Sequence, residues 1–164
     1  SVEVDESMSP FIIESREVEA DSQGYGEFEG APGVRGAYYP LNHDMTVMYA
    51  ADASTFAPRG VLGGLDANPT KSRKKTRKGE VVDLPAFNQE LCADGEKMIF
   101  NSCGGGGYGN PLDREPTRVA KSVNLGFICA DTAREVYKVA LSGPDSSGRF
   151  DVDADATATL RKTA

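Results

Sequence analysis

The chain has no tryptophan, one histidine and three cysteines in 164 residues. Cys92, Cys103 and Cys129 make no CxxC pair, and His43 stands far from all three in sequence. A zinc site needs about four ligands at restricted spacing, so no metal site held by this chain is expected. The thiols read instead as reduced, small apolar residues. Large aliphatic residues are also scarce: Leu, Ile, Val and Phe make up about one residue in five, the lean edge of globular composition. No apolar run approaches the ~20 residues needed to cross a bilayer. The opening SVEVDESMSPF lacks the basic and apolar segments of a signal peptide. Positive charge is in the minority, with 18 Lys and Arg against 25 Asp and Glu, which argues against general nucleic-acid binding. The expectation is a cytoplasmic protein with no membrane and no nucleic-acid partner. Ser1 in place of an initiator Met further implies processing, trimming or a cut from a longer polypeptide.

Glycine and proline, by contrast, are abundant, at 18 and nine residues. Between them, Phe11–Glu19, Val34–Leu41, Met45–Ala51, Val81–Leu84 and Glu96–Asn101 carry the β-branched and aromatic character of strands. Asn42-His43-Asp44 reads as a hairpin turn joining the second and third of these. From residue 52 to 78 no periodicity is visible. That stretch ends in KSRKKTRK, Lys71–Lys78, which holds six of the chain's cations. No aromatic residues interleave with them as single-strand binding would require, so the run reads as a solvated loop or a loop docking on an acidic partner.

The character changes after residue 110. Pro116 presets the first turn of a helix, Val119 and Val123 form a short apolar stripe, and Gly126 can close it. A second helix fits Asp131–Leu141, with Ala133, Val136, Tyr137 and Ala140 on one face, stopped by Ser142-Gly143-Pro144. The expected fold class is α+β: a β-rich body of antiparallel sheets, sandwich- or barrel-like, followed by a short C-terminal helical hairpin. The expected divisions are residues 1–110, 111–142 and an acidic, polar tail at 143–164, frayed or docked on another chain.

The most specific segment runs from Ser102 to Arg114, SCGGGGYGNPLDR. Four consecutive glycines after a strand are entropically costly, so the backbone there needs something only glycine provides. One reading is a nest in which the N–H groups of Gly104, Gly105, Gly106, Gly107 and Gly109 bind a carboxylate or phosphate. The other is a close backbone crossing with Tyr108 as a packing anchor. The segment is neither a P-loop nor a dinucleotide fingerprint, because no Gly-Lys-Ser/Thr follows and no βαβ unit surrounds it.

GGGGYGNPLDREP, with Gly126-Phe127-Ile128 and Ala133-Arg134-Glu135-Val136-Tyr137 beyond it, closely resembles the C-terminal end of the hydantoinase B/oxoprolinase family. Asp21–Gly30, Pro32-Gly33-Val34-Arg35, Pro58-Arg59-Gly60, Gly63-Gly64, Leu91 and Asp94-Gly95 extend the resemblance upstream, so that it covers about 11–141. The resemblance implies a C-terminal piece or small subunit of an ATP-dependent, multi-subunit enzyme that opens a hydantoin, 5-oxoproline or a lactam. The alternatives it implies are a subunit of a biotin-independent ketone carboxylase of the acetone or acetophenone type, and a non-catalytic assembly subunit. The implied partners in a hetero-oligomer are a hydantoinase A-type ATP-binding subunit and the remaining N-terminal B-type polypeptide. ATP and a divalent metal are expected in those partners and no cofactor in this chain, which alone is expected to be inactive. Cys103 stands where relatives usually have Pro, and Cys129 where they often have a Ser capping the second helix. Tyr108 and Cys103 are the candidate catalytic side chains, and a thiol beside a row of N–H groups can be activated.

Overall fold

The computed structural model describes residues 1–163 and has the expected α+β class, with mainly antiparallel strands and four short helices. Two compact units are each assembled from three chain segments. Unit 1 comprises Ser1–Glu17, Val34–Ala57 and Pro69–Cys103; unit 2 comprises Val18–Gly33, Pro58–Asn68 and Gly104–Ala164.

Unit 1 is built on a five-stranded sheet. Its strands are β1 (Ile12–Glu19), β2 (Gly33–Tyr39), β4 (Lys71–Lys75), β5 (Val81–Asp83) and β7 (Lys97–Asn101), in the order β1-β2-β7-β4-β5. Two further strands, β3 (Met45–Ala50) and β6 (Phe87–Cys92), pair antiparallel as a separate ribbon, from Met45 opposite Cys92 to Ala50 opposite Phe87. The expected hairpin between the second and third strands is therefore absent. Asn42 does take a left-handed turn conformation (φ 62°), but the turn delivers β3 to β6 while β2 pairs with β7. Its sharp bend is held by the Asp94 carboxylate, which accepts from the Asn42 amide at 3.0 Å. A short helix α1 (Val2–Met8), which the sequence did not announce, buries none of its residues. Cys92, Met98 and Ala37 are buried, and the Tyr38 ring tilts between Phe11 and Phe100 at 5.5 and 6.3 Å.

The basic run is not a solvated loop. It supplies β4, an interior strand between β7 and β5. Strand alternation sends Arg73 toward Asn101, to which it donates, and Lys74 to the opposite face. There the Lys74 ammonium donates to Glu90 and lies 3.7 Å from Glu96, with all three side chains under one-fifth exposed. The stem of each cation is apolar, so a strand of lysines can pack while its charged ends find acids. Those acids lie 16 and 22 residues further on, which is why no local pattern reveals them.

Unit 2 centres on a core of Val119, Ile128, Ala133, Tyr137 and Val139, with Tyr25, Val123, Val136, Leu141 and Val152 packed against it. Helix α2 (Pro116–Asn124) begins at Pro116 and ends before Gly126 (φ 71°), as its sequence indicates. Helix α3 is shorter than expected, Ala130–Glu135. Lys138 turns left-handed (φ 52°) and the Val139 amide reaches back to Ala133. Tyr137 and Val139 thus enter the core from the bend that follows the helix rather than from a helical stripe. The tail is ordered: Leu141–Ser142 (β8) pairs with Asp151–Val152 (β9), and Asp153 caps α4 (Ala154–Lys162) by accepting from the Ala156 amide at 3.0 Å. The Ala/Thr alternation hid a capping Asp, first-turn Asp155 and last-turn Arg161 and Lys162.

The hydrogen bond to Glu90 raises the Lys74 pKa above its ordinary value, and the charges of Glu90 and Glu96 add to this against the opposing effect of burial. A raised folded pKa contributes stability that is complete below the unfolded value of about 10.4 and fades as pH rises through the folded one. Lys74→Met should lower stability by about 1–3 kcal/mol at pH 7 by leaving two half-buried carboxylates without their cation. Denaturant melts of both proteins from pH 7 to 11.5 should show this difference shrinking only above about pH 10.5. A difference independent of pH would remove the charge as its cause.

Candidate functional site

In unit 2 the glycine run threads between two other glycine-containing segments, 24–31 and 59–65. Gly105 faces the first: its amide donates to Ala31 at 2.8 Å and its carbonyl accepts from Gly24 at 2.8 Å. Gly107 faces the second, donating to Leu65 and accepting from Val61, each at 2.9 Å. Tyr108 then pairs antiparallel with Phe28 through two hydrogen bonds of 2.9 and 3.0 Å, and Gly109 donates to Val61 at 2.9 Å. The run therefore lies hydrogen-bonded between the two segments, Gly105 and Tyr108 to the first and Gly107 and Gly109 to the second, as an irregular backbone layer with bridges at Tyr108.

This layer is closer than side chains allow. A Cβ on Gly107 would lie 2.1 Å from the Tyr25 carbonyl oxygen, and one on Gly106 2.1 Å from that of Arg59. Backbone packs directly on backbone, which is the close crossing of the two readings the sequence left open. Its hydrogen bonding also narrows the nest. Gly105, Gly107 and Gly109 spend their N–H groups on carbonyls. Among the described residues, only the Gly104 and Gly106 amides of the run have no acceptor, and a continuous row of five donors is not formed.

The layer delivers Tyr108 to the surface, 48% exposed, with its ring edge-on to Phe28 at 6.2 Å. Phe28 is in turn covered by the Arg118 guanidinium at 5.3 Å from the ring centroid. Val61, the parallel neighbour of Tyr108, and Leu62 are exposed beside them. The outcome is an aromatic and aliphatic surface with one cation, resting on a rigid backbone platform. Stacking and cation–π contact are what such a surface offers a ligand.

A buried charge anchors the same platform from inside. The Arg114 side chain is 4% exposed; it donates to the Glu27 carbonyl at 3.0 Å and pairs with Glu29 at 2.7 Å, while Ser122 on α2 also donates to Glu29. The Arg114 guanidinium lies 5.9 Å from the Tyr137 ring centroid, and Arg161 of α4 donates to the Arg114 carbonyl at 2.6 Å. Burial, and then the charge of Glu29, push the Tyr137 hydroxyl well above the usual tyrosine range. Sequence reasoning missed this cluster; its only signal was that Glu29 and Arg114 both lie in segments that carry the family resemblance. Asp21, left-handed at φ 57°, has a second fixing role. Its carboxylate accepts from the Cys129 amide at 3.2 Å and from the Tyr25 hydroxyl at 3.2 Å, and burial followed by the Asp21 charge pushes Tyr25 up to about 12.

The other sequence candidates are not gathered here. Cys103 belongs to unit 1, half-buried, with its amide donating to Thr70 at 3.0 Å. Cys129 caps α3, its Sγ accepting from the Thr132 amide at 3.3 Å. His43 contacts the Leu41 carbonyl at 2.9 Å in the turn of unit 1. Among the described residues, no group of three or more His, Cys, Asp or Glu side chains is placed to hold a metal ion.

The sequence profile described as hydantoinase B/oxoprolinase matches residues 1–111. Caprolactamase subunit beta of Pseudomonas jessenii is 35% identical over 147 residues, 87% of this chain and 25% of its own length. The acetone carboxylase alpha subunit of Xanthobacter autotrophicus is 26% identical over 195 residues, covering 98% of this chain and 25% of that one. The nucleotide-free structure of acetone carboxylase superposes with a TM-score of 0.81 at 24% identity, over 99% of this chain and 26% of that chain; this likeness establishes the fold. The chain spans about a quarter of the length of the curated relatives it matches.

The glycine layer separates two substitutions in one run. Gly107→Ala places its methyl 2.1 Å from a carbonyl oxygen and should cost more than about 3 kcal/mol, lowering Tm by about 10 °C or more. At Gly105 the nearest atom to a Cβ is the Ala31 nitrogen at 3.2 Å, so Gly105→Ala should cost about 1 kcal/mol or less. Equal effects in thermal melts would contradict the packing described.

Proposed function

The chain belongs to the hydantoinase B/oxoprolinase family, and from this we propose that it is the C-terminal part of a B-type subunit in an ATP-dependent, multi-subunit enzyme that opens cyclic amides. The observation that carries the substrate class is the 35% identity to caprolactamase subunit beta over 87% of the chain, against 26% for the acetone carboxylase alpha subunit. A hydantoin, 5-oxoproline or a lactam is the ring in this reading. A hydantoinase A-type subunit and the remaining B-type polypeptide hold ATP and a divalent metal, in the cytoplasm, and this chain binds neither.

The contribution of this chain is a shaped surface. Tyr108 packs on or hydrogen-bonds the substrate from the rigid glycine platform, and Phe28 and Arg118 complete its edge. The free amides of Gly104 and Gly106 point to an anion or a developing oxyanion, where fixed N–H donors act without reorganisation. Cys103 is the weaker candidate for a chemical role. The second reading, a ketone carboxylase subunit, is supported by the 26% identity to the acetone carboxylase alpha subunit over 98% of this chain.

The two readings differ in whether bicarbonate is consumed. The native assembly containing this chain, supplied with ε-caprolactam, hydantoin or 5-oxoproline, should release ADP without bicarbonate. Turnover that requires a ketone and bicarbonate together would replace the first reading by the second. In the active assembly Tyr108→Ala should reduce kcat/KM about tenfold or more, the scale of a lost oriented contact, while Tm stays within about 2 °C. Unchanged kinetics would reduce this chain to a scaffold.

A further inference from the structure

The β3–β6 ribbon of unit 1 has its polarity inverted on one strand. On β3, alternation turns Met45, Val47 and Tyr49 inward and Thr46, Met48 and Ala50 outward. On β6, Asn88, Glu90 and Cys92 turn inward, where Glu90 meets Lys74, and Phe87, Gln89 and Leu91 turn outward. The register sets Thr46 opposite Leu91, Met48 opposite Gln89 and Ala50 opposite Phe87, so the six outward residues form one face. Not one of them is charged, in a chain of which 26% is charged. Met48 and Phe87 are 70% exposed and Leu91 54%.

A solvent face of a sheet is ordinarily polar, and contiguous exposed apolar groups mark an interface. Two strands alone are also marginal in water without a third strand or a covering surface. What covers this face is indicated by length: the fold aligned with relatives occupies only about a quarter of their polypeptide. We propose that the outward face of the β3–β6 ribbon is where the remaining polypeptide of a B-type subunit docks, through an apolar, uncharged surface of its own. An acidic or basic partner would find nothing here to pair with, and a free charge would be desolvated against it. The proposal rests on the functional reading above for the identity of the occupant.

Methionine oxidation reads the face directly in the native assembly. Met48 is 70% exposed in the chain's own structure and Met98 3%, so peroxide should oxidise an uncovered Met48 far faster than Met98. In the purified assembly, Met48 should instead be protected at least tenfold relative to the same peptide oxidised after digestion, approaching the rate of Met98. Mass spectrometry of the same preparation identifies its chains. If B-type polypeptide is present and Met48 still oxidises at the peptide rate, the surface assignment is overturned while the functional reading stands. If no further B-type polypeptide accompanies the chain, both fall.

Discussion

Unit 2 depends on three backbone segments that, at Gly106 and Gly107, lie closer together than a Cβ permits. Where Gly106 and Gly107 face the carbonyls of Arg59 and Tyr25 at 2.1 Å from a hypothetical methyl, packing is carried by peptide groups alone. Such contact has no rotamers to rearrange, and it sets Tyr108 opposite Phe28 through two backbone hydrogen bonds. The Arg114–Glu29 pair and the core around Tyr137 lie beneath the same segments, so side-chain burial and backbone packing hold one platform from two directions. A surface that must present an aromatic group to a ligand or a neighbouring chain benefits from that rigidity.

Unit 1 solves a different problem. Its sheet includes a strand made almost wholly of cations, which is tolerable because Lys74 finds Glu90 and Glu96 on one face and Arg73 finds Asn101 on the other. The cost appears on β6, where using Glu90 inward turns Phe87 and Leu91 outward. An electrostatic requirement on one side of the ribbon thus creates an apolar face on the other. The two features that make unit 1 odd in isolation, buried charge and exposed hydrocarbon, are consequences of one strand register.

Much of the architecture was legible locally. Alternation and turn residues placed β1, β2, β3, β5 and β7, and Pro116 with Gly126 bounded α2. The glycine run and its flanking segments identified the family. What could not be read were features whose partners are distant in sequence. Lys71–Lys75 looked like a solvated loop because Glu90 and Glu96 are far along the chain, and the turn at Asn42 looked like a hairpin because β6 had no signal of its own. The inverted alternation of β6 carries its polar residues inward, against the usual rule. Helix α3 ended early because Lys138 adopts a conformation unusual for lysine. At the candidate site, the glycines were obvious, but which amides are free was not: it depends on which of two neighbouring segments each residue faces.

The glycine run is the middle segment of a backbone layer, with bonded and free amides in a defined pattern. Amide hydrogen exchange resolved by residue tests it most directly. The amides of Gly105, Gly107, Tyr108 and Gly109 should exchange only on opening of unit 2, slowed by orders of magnitude, while that of Gly106 exchanges much faster. Uniformly fast exchange across Gly104–Gly109, or protection of Gly106 equal to that of Gly107, would contradict the layer described here.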